Sequence, residues 1–239
     1  MSACNEERTR TASFLELGDN LAREIIAFMT SEGLLEMPQR MRISFVCHSF
    51  GAVIARAALG SPLLTELLPR MHMYLSFSGP HLGMLYFSNP LVELGIWGVR
   101  KWRNARCLTE LLLKDTDAPN ASFMHGLSRA DALRPFRNVL LVSSAEDRYV
   151  PHHSARIQLC AEAVHDHKHG PTFVSMVHQL HEQLARCNVV HVDVSFGANP
   201  LASLVSHLDA IIGRSAHISM LENHAFLQLF VQTYLPYFL

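Results

Sequence analysis

Apolar side chains recur at Phe14, Leu17, Leu21, Ile25 and Phe28, in steps of three and four residues. That spacing puts them on one stripe of an α-helix, and Gly33, with Pro38 beyond it, marks where the helix stops. The pattern then changes. Ile43, Phe45 and Val46 form a short β-prone run, and across 52–59 small and apolar residues return to helical spacing. Strand, sharp turn and helix follow one another here, and Ser49 stands at the turn, two residues before Gly51.

Further along, residues 73–78 read as a second strand, stopped by Gly79-Pro80. A helix is expected over 108–113 and a polar loop over 115–120. Residues 138–143 are a continuous apolar run of the kind buried on both faces of a parallel sheet. Helices are expected over 154–164 and from 172 to about 186, then a strand over 189–194, and two closing helical segments around 201–212 and 221–235. Strands alternating with helices specify an α/β fold, a mostly parallel sheet covered by helices on both faces. No repeat or linker divides the chain, so residues 1–239 are read as a single domain. Within it, 91–102 carries Trp97 and Trp102 among glycines and basic residues; segment 88–135 is either a cap or lid, or ordinary core-packing helix.

Composition narrows the partners. The chain has 239 residues, 49% of them apolar, enough for a sizeable core. A net charge of −1 with His neutral argues against nucleic acid or an acidic membrane surface. Cysteines 4, 47, 107, 160 and 187 are scattered without paired spacing, which suits reduced thiols and a cytoplasmic setting. The polar N-terminus has no apolar signal core, and no run reaches the ~18 apolar residues of a membrane span. The chain is expected to be soluble, with peripheral membrane contact left open. His165, His167 and His169 alternate without Cys or carboxylate partners at zinc-site spacing, so they read as a solvated loop and no metal is expected.

Ser49 carries the chemistry. A turn of this kind strains the serine backbone and needs small residues two before and two after it; Gly51 meets that need and Cys47 meets it in part. The alternative is a serine capping a buried helix. A serine nucleophile requires a base, a carboxylate to orient that base, and donors for the oxyanion. In the nucleophile-elbow arrangement the acid and then the histidine follow the serine along the chain. Asp147 stands just past the 138–143 strand, with Glu146 as fallback, whereas Asp193 lies within a strand. His217 precedes the final helix and its competitor His224 falls inside it. The ordered set is Ser49, Asp147 and His217, and it needs no cofactor.

Four segments carry a resemblance: Ile43-Ser-Phe-Val-Cys-His-Ser-Phe-Gly51, Leu75-Ser-Phe-Ser-Gly-Pro-His-Leu-Gly83, Ser144-Ala-Glu-Asp-Arg-Tyr-Val-Pro-His-His-Ser-Ala-Arg-Ile157 and Ile212-Gly-Arg-Ser-Ala-His-Ile218. They resemble the lipase-like serine esterase family of α/β-hydrolases, in particular the C-terminal hydrolase domain of large eukaryotic intracellular proteins, from about residue 1 to the end of the chain. The resemblance implies a serine ester hydrolase or lipase acting on an ester or lipid-like small molecule through an acyl-enzyme. Ser49 is then the nucleophile, Asp147 the acid and His217 the base. Phe50 N–H is the oxyanion donor, and His48 and His81 stand at the site wall. Phe77, Leu82, Leu85, Trp97 and Trp102 are candidates for an acyl pocket and equally for core.

Two departures stand out. Cys47 replaces the usual glycine. The second oxyanion donor normally follows an earlier strand and is marked by His-Gly, yet the chain before His48 has no histidine and only Gly18 and Gly33. The expectation is therefore an α/β-hydrolase fold with its N-terminal strands missing. Its elbow strand would have an edge to be covered by those strands or by a protein partner. The competing expectation is a catalytically inactive hydrolase-like interaction module or a truncated fragment of a larger protein.

Overall fold

The structure, a computed structural model, describes residues 4–5, 11–36, 41–86, 106–195, 216–218 and 220–239. The expected helices at 91–102 and 201–212, and the first part of the cap segment, lie outside the described residues.

Ser13 opens α1 (Phe14–Ser31) with a capping box: its hydroxyl accepts from the Glu16 amide, and the Glu16 carboxylate accepts from the Ser13 amide at 2.7 Å. Of the expected stripe, α1 buries Phe14 and Leu17 and half-buries Leu21 and Ile25, whereas Phe28 is 60% exposed and Ala22 and Met29 complete the buried face. β1 (Ile43–His48) follows, then α2 (Phe50–Leu59), a 3₁₀ stretch and β2 (Met71–Phe77). Next come α3 (Arg106–Leu111), α4 (Phe123–Ser128), β3 (Asn138–Ser143), α5 (His152–Ala155), α6 (Ala161–His165), α7 (Gly170–Leu184), β4 (Asn188–Asp193) and α8 (His224–Phe238).

The four strands are parallel and lie in sequence order, β1-β2-β3-β4. Val46, Leu75, Leu140 and Val190 run straight across the sheet. All of β2 and β3 is buried, while β1 and β4 at the edges alternate between covered and exposed residues, as a strand covered on one face must. On one face α1, α2, α4 and α7 close a core that includes Phe14, Val53, Tyr74, Leu141 and Phe173. On the other, Met73, Leu75, Phe77, Leu140 and Val142 pack against Met220 and Phe230, the latter on α8.

The seat of α2 depends on one glycine. A Cβ at Gly18 would lie 2.6 Å from Ala57 Cβ and 2.8 Å from the Ala57 and Ala58 backbone. Only a residue without a side chain lets α1 come this close to the helix that follows Ser49.

The expected helix over 154–164 is divided. α5 stops at Ala155 and α6 begins at Ala161, because Ile157 takes φ 56°, buries its side chain completely and gives its carbonyl to His181 Nε2 at 2.7 Å. The packing of Ile157 overrides the local helical pattern.

Candidate active site

The C-terminal ends of the parallel strands meet at one edge of the sheet. The ladder continues past them, since Ser49 N–H donates to Phe77 O at 2.9 Å and Ser78 N–H to Val142 O at 2.8 Å. Between β1 and α2 the chain reverses at Ser49, with φ 53° and ψ −129°. A non-glycine residue in that region carries about 1–3 kcal/mol of strain, which the surrounding structure must impose. The hydroxyl makes no capping bond to α2. Ser49 therefore sits at a strained elbow and not at an ordinary helix cap.

Space around the elbow is distributed differently from the sequence-based expectation. A Cβ at Gly51 would meet nothing within 4 Å, whereas one at Gly79 would lie 2.3 Å from Ser76 Oγ and 2.6 Å from Ala52 Cβ. The crowding falls on the loop after β2, where α2 leans on it. Cys47 is accommodated as a buried side chain, and burial pushes its thiol up to about 12, so it stays protonated.

Just past β3, the loop holds Asp147. Its Oδ1 accepts from Tyr149 N–H at 2.8 Å and Val150 N–H at 3.2 Å, while Oδ2 lies 2.7 Å from His217 Nδ1. The two side chains are 2% and 8% exposed, in that order. A carboxylate only accepts, so His217 Nδ1 carries the proton; in the neutral ring Nε2 is then the bare, basic nitrogen. His217 lies in a short helical stretch, 216–218, ahead of α8.

His48, the residue before Ser49, joins this pair to the elbow. Its Nε2 lies 2.9 Å from the His217 carbonyl oxygen, and the two imidazoles have their centroids 4.7 Å apart. No hydrogen bond links Ser49 Oγ itself to His217 among the described residues. Burial, and then the neighbouring His217 ring, hold His48 below its ordinary pKa. Phe50 is the first residue of α2, so its amide lies at the positive end of a ten-residue helix.

The remaining candidates fall elsewhere. His81 is 1% exposed and bonded through Nε2 to Ser76 Oγ at 3.0 Å, while Arg56 donates to its carbonyl. The expected wall residue is thus an interior one, drawn in by the tight turn at Gly79. Burial, and then Arg56, keep its ring well below the usual histidine pKa. Phe77 and Leu82 are likewise core, and Trp97 and Trp102 lie outside the described residues. Glu146 accepts from Ser195 Oγ at 2.9 Å, and Asp193 bonds to His152 and Arg156. His224 is the exposed first residue of α8. A cleft of about 450 Å³ at α1, lined by Thr11, Glu16, Asp19, Arg23 and Arg106 among others, contains none of Ser49, Asp147 and His217.

Tyr149 was not legible as a neighbour of His217, yet their rings lie 5.3 Å apart. Its only signal was its place two residues after Asp147. Among the described residues no group of three His, Cys, Asp or Glu is placed to hold a metal, and no single helix is long and apolar enough to cross a membrane.

Four parallel strands in sequence order, flanked by helices and carrying a strained serine after the first of them, define an α/β fold of the hydrolase type. The family model described as Putative serine esterase (DUF676) matches residues 1–162, and the chain belongs to that family. The match takes in Ser49 and Asp147 and ends before β4 and His217. No solved structure matched the chain.

Proposed function

We propose that the chain is a serine hydrolase of carboxylic esters, with Ser49 as nucleophile, His217 as general base and Asp147 as the acid that orients it. The reading is carried by the 2.7 Å contact between His217 Nδ1 and Asp147 Oδ2, at the sheet edge where Ser49 is strained. Ser49 Oγ attacks the ester carbonyl while His217 Nε2 takes its proton. The ester C–O bond breaks, and the alcohol leaves with that proton. A water deprotonated by His217 then attacks the acyl-enzyme, releasing the acid and restoring the serine. The Phe50 amide is the oxyanion donor in this scheme, and the proton transfer requires Ser49 Oγ to stand within hydrogen-bond reach of His217 Nε2 in the substrate complex. The substrate class is an ester or lipid-like small molecule.

The test is covalent labelling with a fluorophosphonate probe. Labelling of the wild type that disappears in Ser49→Ala and in His217→Ala supports the reading. Absence of labelling in wild-type protein that melts cooperatively overturns it.

One observation favours a second reading, a non-catalytic interaction module. Val46 on β1 is 65% exposed, and β1 pairs only with β2 among the described strands. An edge of this kind accepts a strand from a protein partner or from another part of a longer chain. That reading expects a folded, unlabelled protein.

A further inference from the structure

Two separate strands reach His217. Asp147, beyond β3, holds the ring at Nδ1, and His48, the last residue of β1, holds the backbone carbonyl of the same residue at 2.9 Å across 169 positions of sequence. One hydrogen bond to an imidazole fixes a point but leaves the ring free to swing about it. A second bond, to the backbone of that residue, removes the freedom of the chain carrying the ring. Because His48 directly precedes Ser49, this second tether ties the distance between the proposed nucleophile and the proposed base to one covalent step along β1.

We propose that His48 is a positioning residue for His217, a tether from the strand that delivers Ser49 to the segment that delivers the imidazole. A carbonyl oxygen only accepts, so His48 must hold its proton on Nε2, which leaves Nδ1 bare in the neutral ring. Burial keeps the His48 ring below its ordinary pKa, so the neutral donor is the working form at neutral pH. The two rings, with centroids 4.7 Å apart and planes at 47°, limit how far the His217 ring can tilt. An apolar residue at 48 would fill the space but leave the His217 carbonyl without this donor.

The kinetic part of this proposal rests on the esterase reading; the spectroscopic part does not. Two variants separate ring from donor: His48→Phe keeps a ring without an N–H, and His48→Gln keeps an N–H near the position of Nε2. The first readout is steady-state hydrolysis of a short-chain p-nitrophenyl ester. The second is the low-field proton resonance of His217 Nδ1–H, identified by its loss in His217→Ala.

His48→Phe is expected to lower kcat about 10²-fold, as a misplaced catalytic group does, with KM unchanged, and to broaden the resonance through exchange with water. His48→Gln is expected to restore both. A wild-type kcat and a sharp resonance in His48→Phe would overturn the proposal, and so would equal loss in both variants. If no ester is hydrolysed but the resonance still distinguishes Phe from Gln, the tether stands and the esterase reading falls. If hydrolysis is robust and indifferent to both variants, the reverse holds. Thermal melts check folding, and His48→Asn, whose amide reaches less far, replaces His48→Phe should that variant not fold.

Discussion

Asp147 reaches His217 with one carboxylate oxygen and keeps the other for its own loop: Oδ2 lies 2.7 Å from Nδ1, and Oδ1 accepts from the Tyr149 and Val150 amides. The acid is held in place by residues two and three positions ahead, so its orientation is built locally and its partner is delivered from 70 residues away. An asparagine at 147 can keep the loop bonds only by turning its amide N–H toward the imidazole, which forces the proton onto Nε2 and removes the base. On the esterase reading, Asp147→Asn should slow fluorophosphonate labelling of Ser49 by about 10⁴-fold, the cost of the wrong tautomer in a serine triad. Time-resolved labelling followed by intact mass spectrometry measures it, and a rate close to wild type would remove Asp147 from the chemistry.

The contact of α1 with α2 leads to a prediction about stability. Gly18→Ala gains about 1 kcal/mol of helix propensity, but its methyl would sit 2.8 Å from the backbone of Ala57 and Ala58, which cannot rotate away as a side chain can. Overpacking of this kind costs about 1–3 kcal/mol, so the variant should be less stable despite the better helix former. Urea denaturation should show a lower midpoint with the slope unchanged. Because α2 starts at the elbow, labelling of Ser49 should slow as well. An unchanged or raised midpoint would show that the two helices separate at little cost.

Glu110, on α3, accepts the Phe14 N–H at the start of α1 at 2.8 Å. Burial raises its carboxyl from 4.5 to about 7, with the Phe14 amide acting in the opposite direction. The folded state therefore binds a proton that the unfolded chain has already released. This contribution to stability is fully present below the unfolded value and is lost as pH rises through the folded one. Buried His48 and His81, with lowered pKa values, have the opposite trend at acid pH, so wild type and variant must be compared at each pH. Glu110→Gln retains an acceptor for Phe14 and does not titrate. Its melting temperature should gain on the wild type from about pH 5 to about pH 8, in step with ionisation of the glutamate. A difference independent of pH would mean that Glu110 ionises as freely in the folded protein as in the unfolded chain.

Much of the fold could be read from local pattern. The run 138–143 coincides with β3, and the elbow falls between β1 and α2 as the change from a β-prone run to helical spacing implies. Asp147 and His217, chosen for their order along the chain and their place relative to strand and helix, touch in the structure. The break at Ile157, the interior position of His81 and the crowding at Gly79 in place of Gly51 were not readable. Each depends on atoms brought in from another element.

The sequence by itself determined the alternation of strands and helices and the residue types that could carry ester chemistry, because periodicity and turn chemistry act over a few neighbouring residues. Only the tertiary structure decided which of them meet. The parallel sheet gathers the C-terminal ends of its strands at one edge, and there His48, Asp147 and Tyr149 come against His217 over separations that no local pattern encodes. The same packing drew His81 inside, where Nε2 meets Ser76 Oγ while Nδ1 has no hydrogen-bond partner among the described residues, a burial that the surrounding tertiary contacts impose and no local pattern encodes.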